Sequence, residues 1–163
     1  MAKIIAVCGK VCSGKTYYAQ KLKEKENAIL LSCDEITAAL FNNDLGTNHD
    51  EITAKIQNYL KVKSAELVKI GCTVILDWGF WTFESRHCLT EYYRLQNIPC
   101  QWHYIDADEQ TWRKNIEERN SRILNGNGGS DYYMDEGLMN KLLGKWEPPA
   151  KEEIDVWHYL KRE

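Results

Sequence analysis

One stretch near the amino terminus combines glycines, a lysine and a hydroxyl side chain in the phosphate-binding pattern GxxxxGK[ST]. It reads Gly9-Lys10-Val11-Cys12-Ser13-Gly14-Lys15-Thr16 and is called the phosphate loop below. Its glycines let the chain turn sharply, so that successive backbone N–H groups face phosphate oxygens. The Lys15 ammonium can reach the β- and γ-phosphates, and the Thr16 hydroxyl can bind Mg²⁺. We therefore predict that the whole loop binds a nucleoside triphosphate, ATP, with its Mg²⁺; a glycine-rich turn without a ligand is the alternative.

Two aspartates follow predicted strands, where a carboxylate can serve phosphoryl transfer. Asp77 comes after the apolar run Thr73–Leu76 and can hold Mg²⁺ directly or through water. Asp34 follows an earlier apolar run and can accept the proton of an acceptor hydroxyl whose oxygen attacks the γ-phosphate. Asp34 is the first candidate for the general base and Asp77 the second. Helix capping is the alternative for both, because aspartate is favoured at helix starts.

Short apolar runs alternate with stretches of helical periodicity along the chain. The runs predict strands at Lys3–Cys8, Ala28–Cys33, Cys72–Leu76, Gln101–Ile105 and Ile154–Leu160. Helices are predicted at Lys15–Glu24, from Asp34 onward, at Glu51–Ile70, Phe83–Gln96, Glu109–Leu124 and Asp135–Leu143. Nearly continuous apolar strands separated by helices indicate a parallel sheet between two helical layers. The carboxyl ends of such strands form a ligand crevice, which brings the phosphate loop and both aspartates to one edge.

Composition limits the class of protein. The 163 residues are 44% hydrophobic and 28% charged, with a formal net charge of −3, which is typical of one globular domain. No apolar run approaches the roughly 18 residues of a membrane span, so no membrane partner is expected. The six cysteines contain no CxxC pair, and we expect a reduced, cytoplasmic protein rather than a disulfide framework or a zinc knuckle. The acidic balance disfavours non-specific binding to nucleic acid.

Four segments together resemble small P-loop kinases related to the nucleoside monophosphate kinases: GKVCSGKT, SCDEI, TVILDWGFW and IEERNSR. The resemblance is strongest to the branch of polynucleotide 5′-hydroxyl kinases, chloramphenicol phosphotransferase and zeta-toxin-like kinases, with AAA-type ATP binding. It implies a three-layer α/β/α P-loop NTPase fold whose central five-stranded parallel sheet has the order 2-3-1-4-5. It also implies that Asp34 is the general base and that a small helical lid, at about residues 119–145, supplies arginines to the polyphosphate. We call residues 119–145 the lid segment.

One position departs from the pattern of the polynucleotide kinases. Those enzymes carry an arginine three residues after the base aspartate, where it binds the acceptor's phosphate, whereas this chain has Thr37. The missing arginine and the net negative charge of the chain disfavour a nucleic acid as the phosphate acceptor and favour a small molecule.

Three arginines precede or begin the lid segment: Arg113, Arg119 and Arg122. Cations stabilise the charge that spreads over the γ-phosphoryl oxygens in the transition state. Arg119 and Arg122 share a helix face, since they are three positions apart, and are favoured over Arg113 as catalytic groups; Arg119 is also expected to bind the nucleotide. The stretch Asn125–Ser130 would be the hinge of closure. The alternative is that the arginines pair on the surface with Glu117 and Glu118.

An aromatic cluster follows Asp77, with Trp78, Phe80, Trp81 and Phe83 within six positions. Rings at a crevice mouth can wall a planar or apolar acceptor, although core packing is the alternative for any one of them. Arg86 can bind an anionic acceptor group or pair with an acid. The predicted acceptor pocket therefore consists of Asp34, Thr37, Asp77, Trp78, Phe80, Trp81 and Arg86. The segment Trp146–Pro149 resembles a loop beside the adenine in these kinases; a rigid linker is the alternative.

The favoured interpretation is an ATP-dependent phosphotransferase that acts on a hydroxyl of a small molecule such as an antibiotic, sugar or nucleoside. Two other interpretations stay open: a polynucleotide 5′-hydroxyl kinase, and a nucleotide-binding module that hydrolyses ATP slowly or not at all.

Overall fold

The computed structural model describes residues 1–129 and 131–161. Its centre is a five-stranded sheet in which all neighbouring strands are parallel. The strands are β1 (Ile4–Cys8), β2 (Ile29–Ser32), β3 (Val74–Asp77), β4 (Cys100–Ala107) and β5 (Val156–Leu160). They lie in the order β2-β3-β1-β4-β5. The predicted α/β fold and its strand order are confirmed.

Helices connect the strands close to the predicted positions. They are α1 (Lys15–Glu26), α2 (Cys33–Phe41), α3 (His49–Lys69), α4 (Phe83–Arg94), α5 (Glu109–Leu124) and α6 (Glu136–Leu143). Short 3₁₀ turns at Gly46–Asn48 and Lys151–Glu153 precede α3 and β5. The ends of the elements differ from the prediction by up to two residues; α3, for example, begins two residues before Glu51 because the preceding 3₁₀ turn runs directly into it.

The helix caps leave both predicted carboxylates free of a capping role. The Ser32 side chain accepts a hydrogen bond from the backbone N–H of Glu35 and caps α2. Asp34 therefore lies inside the first helical turn. The helix after β3 is capped by Thr82, five residues beyond Asp77. The capping alternative is therefore wrong for both aspartates.

Helices cover both faces of the sheet, so β1 is buried along its whole length. Its side chains alternate between the two faces. Ile4, Ala6 and Cys8 belong to an apolar cluster that includes residues of α3 and α4, whereas Ile5 and Val7 pack with residues of α1. This buried central strand anchors the phosphate loop, which begins where β1 ends.

All six cysteines carry free thiols in the structure. Across residues 1–129 and 131–161, no helix combines the length and the apolar character needed to cross a membrane.

Candidate active site

The phosphate loop joins β1 to α1, and its path depends on its glycines. Gly14 has a φ of +101° and is the N-cap of α1. A Cβ atom on Gly9 would lie 2.5 Å from Ser13 Oγ and 2.7 Å from the carbonyl oxygen of Ile105. The backbone of the loop therefore packs directly on β4 at a distance that only glycine allows.

Replacing Gly9 by alanine is expected to lower the free energy of unfolding by roughly 1–3 kcal/mol, because the backbone of Ile105 cannot rotate away as a side chain could. Chemical denaturation beside the wild type measures the loss. Gly137→Ala in α6 is the matched control, since a Cβ there meets nothing closer than Asp135 Oδ1 at 3.4 Å. Equal stability of Gly9→Ala and the wild type would contradict this packing.

The Lys15 side chain folds back over the loop. Its Nζ donates to the carbonyl oxygens of Gly9 and Lys10, each at 2.9 Å, and lies 5.9 Å from the centre of the Trp81 ring. Burial lowers the pKa of Lys15, while the negative charge of Asp77 opposes that shift. A cation within a loop of backbone N–H groups suits an anion as large as a polyphosphate.

Thr16 and Asp77 form the oxygen pair at the base of the loop. Thr16 Oγ1 donates to Asp77 Oδ2 at 3.0 Å. Burial raises the pKa of Asp77, and the neighbouring charge of Lys15 and the Thr16 hydrogen bond act in the opposite direction. A hydroxyl and a carboxylate side by side are the hard oxygen donors that Mg²⁺ prefers, so these residues fit that ion.

Asp34 faces the same cleft from the first turn of α2 and is exposed. In the part of the chain that the structure describes, no hydrogen bond or ion pair holds its carboxylate. Thr37 lies one turn further along α2 and is buried, and its hydroxyl donates to the backbone oxygen of Asp34 and to Asn43 Oδ1. Thr37 therefore supports the backbone at Asp34.

An open cleft of about 1960 Å³ joins these groups. The phosphate loop and Asp77 line it, and so do Asp34 and Thr37 of α2. Residues of α5 and the lid segment also line it, including Arg119 and Arg122. Both aspartates, both favoured arginines and five of the eight loop residues thus border one space; the loop residues are Val11, Cys12, Gly14, Lys15 and Thr16.

The two favoured arginines both pair with Asp131 of the lid segment. Arg119 Nη2 lies 3.5 Å from Asp131 Oδ1, and Arg122 Nη2 lies 3.7 Å from Asp131 Oδ2. Arg119 Nη1 also donates to Cys12 Sγ of the phosphate loop at 3.5 Å. Arg113 is mostly exposed and pairs with Glu109. Arg119 therefore contacts the phosphate loop and borders the cleft, whereas Arg113 is not among the lining residues.

The predicted hinge contains two glycines in the left-handed region, Gly126 and Gly129, with φ of +75° and +57°. Its last residue, Ser130, lies outside the described residues. That the lid segment closes over a nucleotide stays a prediction.

Helix α5 supports the phosphate loop in a way that the sequence did not reveal. Trp112 Nε1 donates to the carbonyl oxygen of Val11 at 2.7 Å, and Asn115 Nδ2 donates to that of Cys12 at 2.9 Å. Lys10 Nζ lies 4.0 Å from the centre of the Trp112 ring. The spacing of Trp112 and Asn115, three residues apart on one helix face, is the only sequence signal of this contact.

The aromatic cluster after β3 divides between cleft and core. Trp78 and Trp81 border the cleft, although Trp78 is largely buried. Phe80 is buried among core residues, with its ring edge-on to Trp102 at 4.9 Å. The prediction that Phe80 lines an acceptor pocket is therefore wrong, because its ring points into the apolar core.

Arg86 is also a structural residue. Its side chain is only 2% exposed. Its Nε donates to Glu153 at 2.8 Å, and its Nη1 donates to the carbonyl oxygens of Phe80 and Glu147, each at 3.0 Å. The prediction that Arg86 binds an acceptor anion is wrong; the alternative, pairing with an acid, is confirmed.

Arg86→Ala is expected to destabilise the protein by about 3–5 kcal/mol, because Glu153 and two carbonyl oxygens would lose a buried cationic partner. Thermal or chemical unfolding measures this loss. Arg113→Ala removes an exposed ion pair and should change stability by no more than about 1 kcal/mol. A loss for Arg86→Ala as small as that of Arg113→Ala would contradict the structural role.

The Trp146–Pro149 segment packs against Trp81 and is not among the residues that line the cleft. The Trp146 ring lies edge-on to Trp81 at 6.3 Å and is stacked on Tyr104 at 6.1 Å. The backbone N–H of Glu147 donates to the carbonyl oxygen of Trp81 at 2.7 Å. These contacts favour the linker alternative over the adenine loop.

A family model described as an AAA domain matches residues 4–133. The chain belongs to this family. A curated relative, the protein KTI12 homolog of Arabidopsis thaliana, is 29% identical over 152 residues, which cover 91% of this chain and 48% of the relative. The chain therefore spans about half the length of that relative.

Solved structures with the same fold include P-loop kinases. The Mycobacterium tuberculosis APS kinase, in complex with AMPPNP and APS, has a TM-score of 0.68 at 18% identity, covering 99% of this chain and 90% of its own. Chaetomium thermophilum Kti12, in complex with ADP-AlF₃, has a TM-score of 0.69 at 17% identity, covering 96% and 88%. The fold is that of the small P-loop kinases, which confirms the resemblance seen in the sequence.

Proposed function

We propose that this protein is an ATP-dependent phosphotransferase that moves the γ-phosphate of Mg·ATP to a hydroxyl of a small molecule. The observation that carries this proposal is the position of Asp34. Its carboxylate borders the cleft that also contains the phosphate loop and the Thr16–Asp77 pair. We place the acceptor beside α2 and call this the acceptor side of the cleft. A module that only binds nucleotide has no need of a free carboxylate there.

The proposed reaction assigns one task to each group. The loop N–H groups and the Lys15 ammonium hold the phosphates, and Thr16 and Asp77 would hold Mg²⁺. The bound ion supplies positive charge to the phosphate oxygens. Asp34 accepts the proton of the acceptor hydroxyl as its oxygen bonds to the γ-phosphorus; the bond to the bridging oxygen breaks and ADP leaves.

The lid arginines and the acceptor side complete the assignment. Arg119 and Arg122 would stabilise charge on the transferring phosphoryl group. On the acceptor side, Thr37, Trp78 and Trp81 remain of the predicted pocket residues, together with Asp34 and Asp77. With Arg86 buried, no arginine lies on the acceptor side among the described lining residues. This lining lacks the arginine with which polynucleotide kinases bind the acceptor's phosphate, which supports a small hydroxyl-bearing acceptor over the 5′-hydroxyl end of a nucleic acid.

A second candidate is a nucleotide-binding module that turns over ATP slowly without an acceptor. It is favoured by the likeness to two Kti12 proteins. The one that is solved is described in complex with ADP-AlF₃ and with no acceptor, whereas the APS kinase is described with both a nucleotide and APS. The two candidates differ in whether ADP release depends on an added hydroxyl compound.

The test is ADP release from Mg·ATP over a panel of sugars, polyols, nucleosides, antibiotics and a 5′-hydroxyl oligonucleotide, with Lys15→Ala as the blank. A phosphotransferase releases ADP faster with one small acceptor class than without it. Release that no acceptor accelerates would favour the module, and acceleration by the oligonucleotide alone would favour a polynucleotide kinase.

A further inference from the structure

We propose that Asp131 competes with the nucleotide's phosphates for the two lid arginines, so that its carboxylate weakens the binding of ATP. The inference rests on the proposed function for its nucleotide. It assigns to Asp131 a role that neither the phosphate-loop motif nor the helical periodicity of the sequence indicates.

The geometry of Asp131 resembles that of a phosphate group between two arginines. Each carboxylate oxygen lies next to a different guanidinium: Oδ1 is 3.5 Å from Arg119, and Oδ2 is 3.7 Å from Arg122. Arg119 at the same time contacts Cys12 of the phosphate loop. One guanidinium therefore lies between the loop and Asp131, within reach of an anion in either place.

An arginine binds a phosphate group more strongly than it binds the exposed Asp131 carboxylate, so a bound phosphate can replace Asp131 as its partner. Asp131 is 39% exposed and Arg122 is 62% exposed, so their ion pair is solvated and weak. A terminal phosphate carries more charge than a carboxylate and accepts several charge-assisted hydrogen bonds from arginine. The arginines are expected to leave Asp131 when a triphosphate occupies the loop.

The neighbouring contacts keep the segment in place without the carboxylate. The Tyr132 carbonyl oxygen accepts from Arg119 Nε at 3.2 Å, and the Tyr132 hydroxyl donates to the carbonyl oxygen of Asn43 at 3.0 Å. Asn120 exchanges hydrogen bonds with the backbone of Met134. An Asp131→Asn variant, which keeps the size of the side chain, should therefore fold like the wild type.

The test is the dissociation constant for ATP and for ADP, measured by calorimetry on wild type and Asp131→Asn. The variant should bind ATP about threefold to tenfold more tightly, which corresponds to the loss of two exposed ion pairs. The gain should be smaller for ADP, which lacks the terminal phosphate. Glu136→Gln is the control, because it removes the same charge from an exposed position in the first turn of α6 and should leave the affinity unchanged.

The origin of the gain is tested in a second background. Combined with Arg119→Ala and Arg122→Ala, Asp131→Asn should no longer tighten ATP binding. Unchanged or weaker ATP binding by Asp131→Asn, beside a wild type that binds ATP, would overturn this inference alone, since Asp131 would then position the arginines or do nothing. A wild type that binds no ATP would overturn the proposed function as well.

Discussion

Asp34→Asn is expected to lower the rate constant of phosphoryl transfer by about 10²- to 10⁴-fold, the contribution of a general base. Asparagine matches aspartate in size but cannot accept the acceptor's proton. ATP affinity should stay close to that of the wild type, because Asp34 lies on the acceptor side of the cleft and the phosphate loop is untouched. Single-turnover measurements at saturating ATP separate the two quantities.

Glu35→Gln is the matched control for this variant. Glu35 neighbours Asp34 in the first turn of α2 and is equally exposed, and only its backbone N–H takes part in the cap. The Glu35→Gln variant removes the same charge at nearly the same place and should transfer phosphate at the wild-type rate. Transfer by Asp34→Asn at the wild-type rate would remove Asp34 as the base and leave Asp77 as the second candidate for that role.

Asp77→Asn is expected to raise the Mg²⁺ concentration needed for half-maximal activity by about 10- to 100-fold, since an amide is a weaker ligand than a carboxylate, whether it contacts the ion or its water. A Mg²⁺ titration of the transfer rate measures this change. Asp106→Asn is the control, because Asp106 also lies near the end of a strand but is bonded to Trp157 and does not border the cleft.

The same variant should change the alkaline side of the pH profile. The charge of Asp77 raises the pKa of Lys15 against the lowering effect of burial. Without that charge, Lys15 loses its proton at lower pH, so activity of Asp77→Asn should fall at lower alkaline pH than that of the wild type. A Mg²⁺ requirement and a pH profile that both match the wild type would contradict the position assigned to Asp77.

Local signals in the sequence were sufficient to predict the parallel sheet and the position of the phosphate loop, whereas the strand order followed from the family resemblance. Apolar runs that alternate with helical periodicity indicate a parallel sheet, and a strand followed by GxxxxGK[ST] determines where the phosphate loop lies. The rule that ligands bind at the carboxyl ends of parallel strands then brought Asp34 and Asp77 to that loop. These inferences need only the order of elements along the chain.

The sequence was insufficient where side-chain direction decides the role. Phe80 and Trp81 are neighbours in an aromatic run, yet one points into the core and the other borders the cleft. Arg86 has the same type as the lid arginines, but Glu153, far along the chain, makes it structural. The pairing of Asp131 with Arg119 likewise depends on how the lid segment folds back on α5, which no local pattern specifies.

The fate of the γ-phosphate tests the central claim most directly. Phosphorus NMR of Mg·ATP with the accepted hydroxyl compound, wild type beside Lys15→Ala, distinguishes a phosphate monoester from inorganic phosphate. The wild type should form ADP and the monoester in equal amounts, and Lys15→Ala should form neither at a comparable rate. ADP and inorganic phosphate without any monoester, with every acceptor and from a wild type that binds ATP, would contradict the assignment of this protein as a phosphotransferase.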